Sequence, residues 1–234
     1  MNKLMKSILA FSLAIVVCGC SSEKSSEYMS YADFMKAENN DEVVIETYIQ
    51  DKSKWCDGMT TLYTQNNEGG YLISNYACSE EVYNTFVEGQ KIKVTGTKSQ
   101  GEYKVEIVNA VIELEEGNQI FKAKDFTDLI TSEDLIQYQN QKAIFTDLIV
   151  DESGIVQPYT YNWDDSGTDG DDLYFMGLKD KYLYQLIVES TLCDENSDVY
   201  QVVKSLNIGD TIDIECYLIW DDYFNPYVTS ITIH

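Results

Sequence analysis

Beyond residue 40 the chain alternates apolar with polar residues over long stretches, and that period predicts strands. Val43, Ile45, Thr47 and Ile49 fall on one face of a strand over 43–50, because successive strand side chains point to opposite sides. Similar runs predict a hairpin, 60–65 with 71–76 across the turn 66–69, and two further strands at 91–97 and 103–114. The second half repeats the series: 144–150, a hairpin of 173–178 with 182–188 across Lys179-Asp180-Lys181, then 211–218 and 227–233. Predicted helices are short. Ser30-x-x-Asp33 and Thr131-x-x-Asp134 read as capping boxes near the start of each half, and 79–86 and 198–206 read as helices after each hairpin.

The two halves also align residue by residue. Positions 30–50 match 131–151 without gaps at an offset of 101, 77–81 match 192–196 at 115, and 87–94 match 207–214 at 120. An offset that only increases is what insertions in a second copy produce, so the pattern predicts an internal duplication.

Within each half the order is β-β-β-α-β-β. With the phrase GQKIKVTGTKSQGEYKVEI at 89–107, this order resembles the OB-fold, a five-stranded Greek-key barrel with a helix between its third and fourth strands. The expected class is therefore all-β with short helices: two tandem OB-like five-stranded Greek-key barrels over 28–116 and 126–234, joined through 115–125. A β-sandwich is the alternative that short strands also permit.

Residues 1–19 carry Lys3 and Lys6 ahead of a short apolar run, then Val17-Cys18-Gly19-Cys20. This order reads as a lipoprotein signal peptide at 1–19 with Cys20 as the lipidated residue, followed by a polar tether at 20–27. Together with the two barrels, the pattern resembles bacterial tandem OB-like lipoproteins. The resemblance implies a fatty-acylated protein held by its lipid anchor on the outer face of the bacterial plasma membrane, in the cell envelope. It brings no catalytic residues.

Composition narrows the function classes. The formal net charge is −24, all 16 basic residues are lysine, and the single histidine is His234. Such a charge argues against phosphate backbones, which need clustered cations, so no nucleic-acid partner is expected. Without arginine there is no bidentate fork for phosphate, and with one terminal histidine there is little material for acid–base or zinc chemistry. No cofactor motif is present. The expectation is a non-enzymatic recognition lipoprotein for an envelope protein or glycan; a structural envelope lipoprotein and a Ca²⁺-dependent module are the alternatives.

OB-folds bind ligands on the face of strands two and three and on the loops joining strands 1–2 and 4–5. Those loops hold Trp55, Trp163, Trp220 and Tyr223, which are the candidate contact residues. Rings that instead plug a barrel end or fill the join between barrels are the competing reading. The acidic run 164–172 offers Asp165, Asp169 and Asp171 as oxygen ligands for Ca²⁺, although Gly167 stands where an EF-hand loop needs a ligand. Cys56, Cys78, Cys193 and Cys216 allow disulfides outside the cytoplasm, Cys56–Cys78 and Cys193–Cys216 being conceivable pairs and a free buried Cys216 equally so.

Overall fold

The computed structural model describes residues 28–152, 157–221 and 223–234. The signal peptide, Cys20 and the tether lie outside the described residues.

Two closed five-stranded barrels follow one another. The first contains α1 (Tyr31–Lys36), β1 (Glu42–Lys52), β2 (Met59–Gln65), β3 (Gly70–Ala77), α2 (Glu80–Tyr83), β4 (Gln90–Gln100) and β5 (Val105–Asn118). Its strands run β1-β2-β3-β5-β4, with β1 returning to β4 to close the ring and β3 meeting β5 in parallel at Ile73 and Ile107. The second contains β6 (Lys124–Asp125), β7 (Lys142–Asp151), β8 (Tyr159–Tyr161), β9 (Leu173–Lys179), β10 (Tyr182–Val188), α3 (Asp198–Ser205), β11 (Thr211–Tyr217) and β12 (Tyr227–Ile233). There β7 pairs with β9 and β11, and β10 meets β12 in parallel at Ile187 and Tyr227. The strand connectivity is the same in both, as a duplicated unit requires, and closure sets the sandwich alternative aside.

Alternation explains the interiors. Val43, Ile45 and Ile49 of β1 point inward with Leu62, Ile73, Ile92, Val94 and Ile107, while Phe34 of α1 packs on the same cluster. In the second barrel Phe145, Leu148, Phe175, Leu186 and Ile214 fill the centre, with Val199, Tyr200 and Val203 of α3 packed against them. The carbonyl ends of α1 and α2 each receive a lysine from a neighbouring strand. Buried Lys98 donates to the Met35 and Ala37 carbonyls at 2.9 and 2.7 Å, and Lys52 donates to those of Tyr83 and Phe86 at 2.9 Å each.

The ends of elements differ from the sequence reading in places. Ser30 caps α1 as expected, its hydroxyl accepting the Asp33 N–H at 3.1 Å. In the second half Ser132 rather than Thr131 is the cap, and the segment Glu133–Tyr138 that follows is 3-10 helix. The segment expected to link the two copies is strapped down. Phe121 N–H donates to the Gln50 side-chain oxygen at 2.7 Å, Gln50 donates to the Gln119 carbonyl at 3.0 Å, and β6 pairs with β7.

The barrels meet through the outer face of β2 and β3. Tyr63 and Leu72 pack against Tyr217 and Ile219, the two tyrosine rings 4.7 Å apart. Around this seam Val105 N–H donates to Gln139 Oε1, Asn140 Nδ2 donates to the Val105 carbonyl and Lys142 N–H donates to Gln65 Oε1, each at 2.9 Å. Gly70 sits where the second barrel's backbone comes closest: a Cβ there would lie 2.3 Å from the Asn140 carbonyl carbon. Residues 70–74 are consequently buried without a break, whereas β9 keeps an open outer side and alternates buried with half-buried.

Candidate functional site

The seam decides which face remains available. In the first barrel the outer side of its second and third strands is covered; in the second barrel it is open. A groove of about 750 Å³ lies there, floored by Tyr174 and Met176 of β9, Leu183 and Gln185 of β10, and Tyr227 of β12. Its rim is formed by Trp163 from the loop after β8 and by Tyr223, Phe224 and Asn225 from the loop between β11 and β12. These are the strand face and the two loops expected of an OB ligand site.

Both rim loops are held in shape. The Asp221 N–H donates to the Tyr223 carbonyl at 3.1 Å and the Asn225 N–H to the Ile219 carbonyl at 2.9 Å, closing a tight loop that projects Tyr223 outward. Behind Trp163, the Asn162 N–H donates to the Asp172 carbonyl, and Asp172 Oδ1 accepts both the N–H and the hydroxyl of Ser190 at 2.8 and 2.7 Å. The Tyr200 hydroxyl accepts the Gly170 N–H and donates to the Asp171 carbonyl, each at 2.8 Å, and Lys204 pairs with Asp169 at 2.7 Å. Trp163 is thereby presented 75% exposed, and Tyr223 76% exposed, on anchored backbone.

The four aromatic residues singled out from the sequence divide. Trp163 and Tyr223 line the groove. Trp220 is 8% exposed and belongs to the core, its ring 4.7 Å from that of Phe224, so it supports the rim from beneath. Trp55 lies on the first barrel, half-buried, with its indole N–H donating to the Cys78 carbonyl at 3.0 Å. Sequence reasoning missed Tyr174, Leu183 and Tyr227, whose signal was their outward parity on the second, third and fifth strands, and Tyr184, which shares the inward parity of Leu186 and reaches the groove from the core side.

The acidic loop uses its carboxylates locally. Asp169 pairs with Lys204, Asp171 accepts the Thr168 N–H at 2.8 Å, and Asp165 sits in the turn with a φ of 59°. Among the described residues no group of three or more carboxylate, thiol or imidazole side chains gathers around a common point. Gly167 is turned against the Tyr161 side chain. The four cysteines are free thiols. Met59 stands between Cys56 and the strand that leads to Cys78, pairing with Cys56 on one side and with Ala77 on the other. Cys216 is buried and faces the barrel interior, where burial pushes its thiol up. Burial raises Cys193 to about 12.

The electrostatics of the groove are set by carboxylates. Asp221 is exposed on the rim, and the negative charges of Asp172, Glu189 and Asp221 add to burial in raising the phenols of Tyr174 and Tyr227. Burial also raises Glu189 itself. Lys104 of the first barrel pairs with Asp221 at 3.4 Å and with Glu106 at 3.2 Å.

Fold and groove together define a tandem OB-like two-barrel protein with an aromatic strand face on its second barrel. No family model matches the chain, and no curated protein matches it. Among solved structures it is similar to the p204 HINb domain, at 8% identity and a TM-score of 0.37 over 85% of this chain and 100% of that one. It is also similar to a murine DNA binding protein bound with double-stranded DNA, at 10% identity and 0.36 over 82% and 98%. A third is a replication protein A heterotrimer bound to single-stranded DNA, at 10% and 0.34 over 83% of this chain and 49% of that one.

These findings correct two sequence-based expectations. Nucleic acid was excluded as a partner, and a protein or glycan of the envelope was expected as the ligand in its place. Solved structures similar to this chain include proteins bound to double- and single-stranded DNA, against both expectations. Net charge reports the field of the whole molecule and does not by itself decide what one local face binds.

Proposed function

We propose that the chain acts by binding rather than by catalysis, and that its groove receives flat ring systems by stacking. An unpaired nucleobase is the nucleic-acid form of such a ligand. The observation that carries the reading is the pairing of Trp163 and Tyr223, both three-quarters exposed, above the tyrosines of the open strand face. Stacking of a base on an aromatic side chain contributes about 1–3 kcal/mol, whatever the sequence. No lysine is among the described residues that line the groove. A single strand would therefore engage through its base faces with its phosphates left in water.

That mode has a signature. Phosphate-driven binding weakens steeply as salt rises, whereas base stacking against an acidic protein gives a flat or rising dependence. Titration with a short unstructured strand at two salt concentrations, followed by tryptophan fluorescence, tests it. Saturable quenching that survives high salt and disappears in Trp163→Ala is expected. A steep loss with salt, or binding indifferent to both Trp163→Ala and Tyr223→Ala, contradicts the reading.

The N-terminal pattern ending at Cys20 supports membrane attachment by acylation, with the barrels on the outer face as in bacterial tandem OB-like lipoproteins. The mass of the protein purified from its native membrane tests this. Loss of 1–19 and gain of lipid on Cys20 are expected; an unmodified cysteine contradicts it.

A further inference from the structure

We infer that the groove selects flat rings bearing a positive charge, of the class of N-alkylated heteroaromatic cations. The inference rests on the groove being the binding surface and adds the charge of its ligand. The first support is the lining itself: among the described residues that form it, Asp221 is the one charged side chain, alongside tyrosines, Trp163 and Phe224. Aromatic faces carry the negative lobe of the ring quadrupole, so a cation laid on them is attracted and a neutral ring of the same shape gains only stacking.

The second support is the surround. Asp172 and Glu189 join Asp221 in acting on the phenols of the floor, and Asp164 and Asp165 are exposed beside Trp163. The cation that reaches this region, Lys104, is divided between Asp221 and Glu106, so carboxylates outnumber it. A whole-molecule charge of −24 extends the same preference to the approach of the ligand. A neutral ring finds stacking here; a cationic ring finds stacking and charge complementarity.

Nicotinamide and 1-methylnicotinamide make the test, since they share ring and size and differ by one methyl group and one positive charge. Calorimetric titration of the whole chain with each is expected to show the cation binding at least tenfold more tightly, with that advantage shrinking as salt rises. Asp221→Asn is expected to narrow the ratio at least threefold, by weakening the cation more than the neutral ring. Trp163→Ala is expected to weaken both. Equal affinities for the two rings, with the response to Trp163→Ala retained, overturn the charge preference and leave the groove reading standing. Absence of saturable binding by either ring overturns the groove reading and the preference with it.

Discussion

Tyr217 buries its hydroxyl in the seam between the barrels with no hydrogen-bond partner among the described residues. An unsatisfied buried hydroxyl costs free energy that a phenyl ring of the same shape does not. Tyr217→Phe is therefore expected to keep or raise the melting temperature; a loss of more than about 1 kcal/mol on chemical unfolding would show that the hydroxyl is bonded. Backbone chemistry is equally local. Asn75, Asn109 and Asp147 have φ values of 51°, 52° and 54°, each within an irregularity of strand pairing. Asn and Asp reach this left-handed region at lower cost than other residues with a side chain, and glycine reaches it freely. Asn75→Val is expected to cost about 1–2 kcal/mol and Asn75→Gly much less, as thermal melts can show. The sequence displayed these residues only as breaks in alternation, because a bulge is a pairing event and its partner strand is not local.

Elements of five or more strand residues were legible from alternation, since one barrel face is buried and a one-residue slip would expose it. The two-residue β6 and three-residue β8 were not, because nothing periodic can be read over so short a span. Loop tryptophans were legible only as candidates. Ile219 and Trp220 are adjacent and both buried, one facing the seam and the other the core, so hydrophobicity alone could not tell Trp220 from exposed Trp163. The rim loop bearing Trp163 is held by α3 through Tyr200. Tyr200→Phe removes the acceptor of the Gly170 N–H and the donor to the Asp171 carbonyl. A loss of about 1–2 kcal/mol is expected, with faster hydrogen exchange at Gly170; unchanged exchange there would contradict the clamp.

At the scale of the whole molecule, two barrels of the same connectivity offer two equivalent faces and the seam covers one of them. The continuous burial of 70–74 carries that result, and the unbroken run Gly-Tyr-Leu-Ile-Ser hinted at it, since strands covered on both sides lose their alternation. Which surface covered it was not legible, because the covering residues Tyr217 and Ile219 lie some 150 residues further along the chain. Beside the seam Asp51 and Glu189 are raised above the usual carboxylate range, in each case chiefly by burial. A raised folded-state pKa means that the fold holds the proton more tightly than the unfolded chain. Their contribution is therefore complete at acid pH and is lost as pH climbs from the ordinary carboxylate range through the raised values. Asp51→Asn is expected to melt higher than the parent at pH 7, with the advantage vanishing near pH 3; an advantage independent of pH would point to packing instead.

On the proposed function, recognition belongs to the aromatic strand face of the second barrel. Mapping amide chemical-shift changes on the whole chain as an unstructured single strand is added tests it most directly. Changes concentrated at Trp163, along 174–176 and 183–187, and around Tyr223 to Tyr227 are the expected result. Changes centred on the first barrel, or scattered over surface lysines with the groove silent, would contradict it.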